Sequence, residues 1–451
     1  MTVKALMPVR NVNLVAPLAH KATDMHITET CASARERSGA AFGLIGESLR
    51  IDGLESATTP SPTPGSAIST TATRTTTTRT TTTRRGPSAD SNLFEQLVEA
   101  YLDCRRTKRN SASALAFEDH LERNLFDLHD ELVSGAYLPG RSTCFVTLRP
   151  RPREIWAAGF RDRVVHHLLH NRIAPRFYRS FTADSCACIP GCGTLYAAKR
   201  LEDQARSITR NWTQPAFYLK CDLSNFFVAI DKHILAGLLM PRIDGEWWQA
   251  LASMVLFHDP REDVDVRSRP GVLALVPPHK RLFNAPADMG LPIGNLSSQF
   301  FANVYLDVLD QFVKHQLRAP RYVRYVDDFV LLHESTETLC AWRDQIAAFL
   351  PERLHAQLNP RKTVLQPVSR GIDFVGHLIR PHRREPRANA LPNALRRLGA
   401  PGVDDFDQIN SYFGLLRQSP ASHHLRSKLA NGARQRGFTV NAAFTKVYRK
   451  D

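Results

Sequence analysis

The stretch YVRYVDDFVLLH, residues 322–333, constrains the fold more than any other feature of this sequence. Its β-branched and aromatic flanks predict two buried strands, with the pair Asp327–Asp328 at the turn between them. Adjacent buried carboxylates repel each other and take up a proton unless a cation compensates their charge. An isolated pair of aspartates is usually a solvated turn, but these flanks place the pair at the tip of a buried hairpin.

A third carboxylate, Asp222, lies at the end of a similar apolar run in AFYLKCDLSNFF, which reads as a strand leading into a turn. Carboxylate oxygens suit Mg2+, which proteins commonly hold with one or two carboxylates and substrate phosphates. If the strand of Asp222 lies beside the hairpin, the carboxylates can hold two metal ions for phosphoryl transfer. We therefore predict a cofactor of two Mg2+ ions, for which Mn2+ can substitute.

Patterned sequence begins at Asn92 and predicts both helices and strands. Apolar residues at helical spacing predict helices within 92–106, 114–137, 160–181, 230–239 and 297–317. Strands are predicted near 142–150, 216–222 and 322–332, with a further single strand at 369–379, and a loop with short strands at about 258–288. Helices that alternate with antiparallel hairpins indicate the α+β class.

Residues 1 to about 90 differ from the rest, because they include a Thr/Ser/Pro-rich tract in which Arg74, Arg79 and Arg84 recur every five residues. Such a tract buries too little apolar surface to offset its ordering entropy, so we predict that it is disordered. No apolar run reaches the roughly 18 residues of a membrane helix, and no signal-peptide core precedes the tract. These absences predict a cytoplasmic protein with no membrane partner.

A formal net charge of +15 favours a polyanionic partner, since basic surfaces release counterions from phosphates. Charge alone is weak evidence, as many basic proteins bind no nucleic acid. The cluster Cys186, Cys188 and Cys192 lacks the second ligand pair of a zinc site. Reduced structural thiols and no zinc are therefore predicted.

Six ordered blocks of the sequence resemble those of reverse transcriptases. YVDD resembles the catalytic hairpin, and CDLSNFFVAID resembles the strand-turn that supplies the first catalytic aspartate. The block from RPREI to FTADS is similar to the fingers, GLPIGNLSSQ to the palm motif, LNPRKTV to the lysine-bearing segment and FVGHLI to the primer grip. The resemblance implies a right-hand polymerase with fingers at 91–213, palm at 214–380 with an inserted segment at about 234–288, and a short α-helical thumb at 381–451.

The resemblance also implies roles for single residues. Asp222 and Asp327 would ligate both metals, with Asp328 nearby and the Leu223 carbonyl completing one shell, and Lys362 would steady or protonate the leaving pyrophosphate. Lys220 would contact backbone phosphate or be exposed. The remaining implied substrate contacts are Arg151 and Arg153 over the triphosphate, Phe227 under the sugar to select deoxynucleotides, the palm-motif residues Ile293, Gly294 and Gln299, and the primer grip Phe374, Val375 and Gly376.

Within this family, PREI, FRDRVVHH and LPIGNLSSQ resemble the enzymes of diversity-generating retroelements and related bacterial enzymes of unassigned or antiviral-defence groups. The predicted function is an RNA-directed DNA polymerase that extends a DNA or RNA primer with dNTPs on an RNA template. Error-prone synthesis for a retroelement, with a small basic accessory protein as partner, is the first hypothesis. A defence-associated enzyme and a catalytically weak RNA-binding scaffold are the alternatives. Ile189 and Cys192, where related sequences often carry cations, leave the scaffold open, whereas the intact Asp222, Asp327, Asp328 and Phe227 argue against it.

Overall fold

The computed structural model describes residues 92–108, 111–148, 151–399 and 406–449, all of which belong to one compact unit. The segment predicted to be disordered, 1–90, lies outside the described residues. Helices and mostly antiparallel sheets are both present, so the prediction of an α+β fold is confirmed.

Helices make up most of the first third of the described chain. They are α1 (Leu93–Lys108), α2 (Ala112–Glu118), α3 (Leu121–Ser134), α4 (Phe160–Tyr178) and α5 (Thr194–Ile208). The stretch 114–137, predicted to be helical, contains the end of α2 and all of α3, because His120 leaves the helical region with a φ of −129° and starts a second helix. Its predicted end is right, since Gly135 ends α3 in the left-handed conformation that glycine adopts without strain.

A three-stranded sheet accompanies these helices. It consists of β1 (Ser142–Thr147), β2 (Arg153–Ala157) and β4 (Val264–Val266), in the order β2-β1-β4. Strand β4 and the short helix α9 (Pro270–Leu273) lie within the stretch 258–288, which the sequence predicted as loop with short strands. This stretch therefore returns to the first sheet rather than forming a separate unit.

The central sheet has four antiparallel strands in the order β5-β6-β3-β7, namely β5 (Tyr322–Tyr325), β6 (Asp328–His333), β3 (Phe217–Asp222) and β7 (Val364–Pro367). Successive residues of β6 enter two different core clusters, Phe329 and Leu331 on one face and Val330 and Leu332 on the other. A strand that is buried on both faces needs a continuous apolar run, which explains the sequence FVLL.

Further helices surround the central sheet. They are α6 (Phe226–Ala229), α7 (Lys232–Leu239), α8 (Glu246–Phe257), α10 (Leu296–Gln311) and α11 (Thr336–Leu354). Helix α10 continues into a π-helical turn at Phe312–Gln316, and its Tyr305 donates a hydrogen bond to the Leu354 carbonyl at 2.7 Å. This bond fixes α10 against the end of α11.

The predicted single strand at 369–379 is wrong, because the segment forms a hairpin of β8 (Ile372–Phe374) and β9 (His377–Arg380). Val375 and Gly376 form its two-residue turn with positive φ angles of 43° and 90°. Strand β10 (Arg383–Pro386) pairs with β9 and completes a second antiparallel sheet.

The C-terminal region has its own apolar core, built by α12 (Ala390–Leu398), α13 (Phe406–Leu416), α14 (His423–Gln435) and the pair β11 (Thr439–Val440) and β12 (Val447–Tyr448). Leu398, Phe413 and Leu429 lie in this core. Among the helices of the described residues, none is long and apolar enough to cross a membrane.

Candidate active site

The aspartate pair lies on the tight hairpin between β5 and β6. Tyr325 and Asp328 form the last pair of the ladder, which leaves Val326 and Asp327 as the two turn residues. Val326 has a φ of +57°, which is unusual for a β-branched side chain and costs roughly 1–3 kcal/mol. The surrounding contacts must therefore hold this turn in place.

Arg324 anchors the turn by a hydrogen bond from its buried guanidinium group, and its side chain is only 1% exposed. Each of its five N–H groups has an acceptor. Two of them form a bidentate pair with the buried Asp310 at 2.7 and 2.6 Å, and one reaches the Val326 carbonyl at 3.1 Å. The remaining two reach Asn303 at 3.2 Å and Ser185 at 2.7 Å. The strained turn is thereby bonded to a fully buried ion pair.

The structure brings the three aspartates together at one end of the central sheet. Asp222 lies directly opposite Asp328 in the antiparallel register of β3 and β6. The Leu223 amide donates to the Asp327 carbonyl at 3.2 Å, which fixes the turn beside the end of β3. The juxtaposition predicted from two remote sequence segments is thus present, and it arises from strand pairing.

Two lysines contact these carboxylates. Lys362 Nζ lies 2.7 Å from both oxygens of Asp222, and Lys220 Nζ lies 3.1 Å from Asp328 Oδ2. Burial, followed by the charges of Asp222 and Asp328, raises the pKa of Asp327 to about 6. Burial is also the main cause of the raised pKa of Asp328. Three carboxylates therefore share this site with two ammonium groups.

Lys280 interacts electrostatically with Asp222 and with three other cationic side chains, Lys362, Arg151 and Arg153. Arg151 and Arg153 are exposed, as the resemblance implied for contacts with a triphosphate. Lys280 joins them: partial burial and the charges of Lys362, Arg151 and Arg153 lower its pKa, whereas Asp222 raises it. Sequence reasoning missed Lys280, because it lies in a polar stretch that carried no recognisable pattern.

The segment after Lys280 is anchored to the strand of Arg153. The buried Glu154 accepts a hydrogen bond from the Leu282 amide at 2.8 Å. The rings of Trp156 and Phe283 contact each other, with centroids 4.6 Å apart. These two contacts hold the Lys280 segment beside β2.

Adjacent phenylalanines after Asp222 have different environments. Phe226 is buried and packs against Tyr305, with ring centroids 6.4 Å apart. Phe227 is partly exposed, and its carbonyl accepts from the Leu291 amide at 2.8 Å. Of these two phenylalanines, Phe227 is therefore the one that is partly accessible.

The palm-motif residues pack against the first sheet. The Ile293 carbonyl accepts from the Trp156 amide at 2.7 Å. A Cβ on Gly294 would lie 2.6 Å from the Trp156 carbonyl oxygen, and its φ is +135°. The sequence interpretation placed a template, primer or nucleotide close to Gly294, whereas the close approach in the structure is to the backbone of β2. Gln299 is partly exposed in the first turn of α10.

The hairpin of β8 and β9 lies next to Asp328. Phe374 is fully buried in the core and Gly376 is buried as well, so Val375 is the one of these three residues that is partly exposed to a ligand. Lys220 donates to the Asp373 carbonyl at 2.9 Å. The expectation of an exposed Lys220 is wrong, since its side chain is only 15% exposed and both of its partners belong to the protein.

Comparison with known proteins identifies the family. The family described as "Reverse transcriptase (RNA-dependent DNA polymerase)" matches residues 150–379, which is just over half of the chain. The chain belongs to the reverse transcriptase family. This confirms the predictions of a right-hand polymerase fold and of an RNA-directed DNA polymerase, which is a nucleotidyltransferase.

This reverse transcriptase is similar to Protein YkfC of Escherichia coli (strain K12), at 24% identity over 292 residues, which cover 57% of this chain and 71% of YkfC. It is also similar to the solved structure of telomerase from Candida albicans in complex with the TWJ fragment of telomeric RNA. That match has a TM-score of 0.42 at 12% identity and covers 66% of this chain and 55% of the telomerase chain.

The aspartate site of the reverse transcriptase fits a hard divalent cation. Asp328 Oδ1 is buried without a hydrogen-bond partner, and burial together with the charges of Asp222 and Asp328 raises the pKa of Asp327. In the described part of the chain, no three His, Cys, Asp or Glu side chains are already arranged around a common metal position. Instead, Asp222 directs its carboxylate oxygens toward the Lys362 ammonium group, and Asp328 directs Oδ2 toward that of Lys220.

Proposed function

We propose that this reverse transcriptase extends a primer with dNTPs on an RNA template, using two Mg2+ ions held by Asp222 and Asp327. The supporting observation is the β3–β6 register, which sets Asp222 beside the Asp327–Asp328 turn. Bound divalent ions would activate the primer hydroxyl and neutralise charge on the phosphates, and Mn2+ could replace Mg2+. Asp328 and the Leu223 carbonyl are adjacent oxygen donors.

The proposal is tested by single-nucleotide incorporation on a defined RNA template with a labelled DNA primer. Extension that depends on Mg2+ and is lost in an Asp327 variant supports it. A purified protein that binds RNA but extends no primer with either Mg2+ or Mn2+ would instead support the catalytically weak scaffold.

Lys362 has a position from which it can act on the leaving pyrophosphate. It already lies against Asp222, and its side chain is 41% exposed, so it can exchange this carboxylate for a phosphate oxygen. Arg151 and Arg153 are proposed to bind the triphosphate, since guanidinium groups bind phosphate oxygens in a bidentate manner. Lys280 is proposed as a fourth phosphate contact, because the contacts of Glu154 with Leu282 and of Trp156 with Phe283 hold its segment beside the strand of Arg153.

Replacement of Lys280 by alanine is expected to raise the KM for dNTPs about five- to tenfold with little change in kcat, because one charge-assisted phosphate contact is lost. Steady-state kinetics of single-nucleotide incorporation measures both constants. The exposed Lys199 of α5 provides the control, and Lys199→Ala should behave like the wild type. An unchanged KM in Lys280→Ala would remove this lysine from the proposed site.

Phe227 is proposed as the residue that excludes a ribose 2′-hydroxyl. Replacement by valine should reduce the preference for dNTPs over rNTPs by roughly ten- to a hundredfold, because the smaller side chain opens space under the sugar. The ratio of kcat/KM for dCTP and CTP opposite a template guanine measures this preference. If the ratio in Phe227→Val equals that of the wild type, the ring has no role in sugar selection.

The proposed biological role is error-prone copying for a diversity-generating retroelement. It is supported by the resemblance of PREI, FRDRVVHH and LPIGNLSSQ to that group. It is also supported by the apolar Ile293, at a position where retroviral enzymes have a polar residue. A small basic accessory protein would then bind the enzyme and its template RNA. A template repeat near the gene, together with a variable repeat that differs from it at adenines, would support this role, and their absence would favour antiviral defence.

The proposed subdomains follow the family arrangement of fingers at 91–213, palm at 214–380 and thumb at 381–451. The separate apolar core of the C-terminal helices supports the thumb assignment. The short stretch that returns to the first sheet supports an insertion within the palm at about 234–288.

A further inference from the structure

Lys220 connects two hairpins that are remote in sequence. It lies on the central strand β3, where its backbone pairs with Val330 of β6 and Val364 of β7. Its ammonium group contacts Asp328 Oδ2 at 3.1 Å and the Asp373 carbonyl oxygen at 2.9 Å. The same side chain therefore touches the carboxylate next to the catalytic turn and the backbone of β8.

The β8 end of this connection is itself held by charged contacts. Arg387 Nε donates a short hydrogen bond to Asp373 Oδ1, and the Arg387 amide donates to the Gly376 carbonyl at 3.2 Å. Gly376 belongs to the two-residue turn of the β8–β9 hairpin. Asp328, Lys220, Asp373 and Arg387 thus form a continuous series of polar contacts from the aspartate site to this turn.

The surroundings of Lys220 favour a positional role. The side chain is only 15% exposed, and its ammonium group lies 6.0 Å from the centroid of the buried Phe374 ring. A charge-assisted hydrogen bond in such a partly desolvated place is stronger than one in water. A lysine with this burial and two protein partners is held in place, whereas a lysine that binds a passing phosphate backbone needs freedom to move.

We infer that Lys220 is a positioning residue that fixes the distance between the Asp328 side of the catalytic site and the turn at Val375 and Gly376. The inference rests on the proposed function, in which that turn holds the primer end. Loss of the connection would leave the two hairpins packed through their shared apolar core but without the polar contact at the site, so the primer end would be held less firmly opposite the aspartates. The chemical step would suffer more than nucleotide binding, because Arg151, Arg153 and Lys280 lie outside this series of contacts.

The test compares three variants with the wild type. Lys220→Met keeps the length of the side chain and removes the ammonium group, whereas Lys220→Arg keeps a charged donor. Lys314→Met is a matched control, because Lys314 also bonds one carboxylate, that of Asp184 at 2.8 Å, and one carbonyl, that of Pro320 at 3.1 Å. Two measurements are made on each protein: single-nucleotide incorporation with Mg2+, and fluorescence anisotropy of a labelled primer–template duplex in EDTA.

We expect Lys220→Met to lower kcat by about tenfold and to weaken metal-free duplex binding by a few fold, with the KM for dNTPs nearly unchanged. Lys220→Arg should recover most of both losses, and Lys314→Met should resemble the wild type. Wild-type kcat and duplex binding in Lys220→Met would overturn the inference, as would equal losses in Lys314→Met. A wild-type protein that extends no primer contradicts the proposed function instead, and duplex binding in EDTA then still decides whether Lys220 positions the turn.

Discussion

Asp327→Asn will abolish primer extension, with a loss of kcat on the order of a thousandfold or more. Asparagine has nearly the same shape as aspartate, so the turn and its Arg324 contact are retained while one of the two proposed metal-binding carboxylates loses its charge. Incorporation of a single nucleotide, measured over a range of Mg2+ and Mn2+ concentrations, gives the effect. Higher metal concentration should not restore the rate.

The same variant should be more stable than the wild type in EDTA, which separates loss of function from loss of fold. The folded-state pKa of Asp327 is raised to about 6 from 3.8, so its ionisation opposes folding. The destabilisation is complete above pH 6 and disappears as the pH falls below 3.8. At pH 7.5, urea denaturation of Asp327→Asn should therefore give a free energy of unfolding roughly 1–2 kcal/mol above that of the wild type, after allowance for partial solvent screening.

Asp307 of α10 offers a matched control for both measurements. Burial raises its pKa to about 6 as well, and its partner is Gln311, at 3.0 Å, rather than a residue of the aspartate site. Asp307→Asn should gain stability in the same way and keep wild-type activity. If Asp327→Asn retains a tenth or more of the wild-type rate while Asp307→Asn behaves normally, Asp327 holds no essential metal.

The second large effect is on stability, where Arg324→Met should lower the free energy of unfolding by about 3–5 kcal/mol. The substitution leaves the Asp310 carboxylate buried without its cation, and it removes the donor to the Val326 carbonyl. Urea denaturation in EDTA measures the loss. Arg324→Lys should recover only part of it, because three donors cannot serve five acceptor positions.

An exposed ion pair shows what a surface contact contributes by comparison. Arg141 and Asp263 are 2.9 Å apart with side chains 66% and 63% exposed, so Arg141→Met should change stability by less than about 1 kcal/mol. A loss as small as this in Arg324→Met would mean that the buried pair does not hold the hairpin. The variant should also be poorly active where it remains folded, because its turn has lost an anchor.

The parts of the site that were predictable from sequence are those encoded by short continuous patterns. The run FVLL after the aspartates identified a strand buried on both faces, and the matching run before Asp222 identified its neighbour. The hairpin at 372–380 was predicted as one strand because its turn is Val375–Gly376, which lacks the Asn-Gly or Asp-Gly signal of most two-residue turns. The positive φ of Val375, a β-branched residue, cannot be predicted from residue propensities.

The parts that were not predictable depend on partners far away in sequence. Arg324 reads as an ordinary strand residue until Asp310 and Ser185 are seen around it. Lys220 was expected to contact phosphate or solvent, because no pattern in the sequence indicates that Asp373 lies beside it. A role for Lys280 could be proposed only once Arg151 and Arg153 were seen to be its neighbours. The hydrogen bond to Glu154 brings their strand alongside the Lys280 segment.

The central position of β3 also bears on how the protein is made. Both neighbours of this strand are encoded downstream, and Lys362 follows Asp222 by 140 residues. During translation, the strand that carries Asp222 leaves the ribosome long before either partner exists, with both of its edges unpaired. Such non-local pairing is slow and leaves a nascent chain prone to aggregation, so the yield of active enzyme should depend on chaperones and on synthesis that continues past β7.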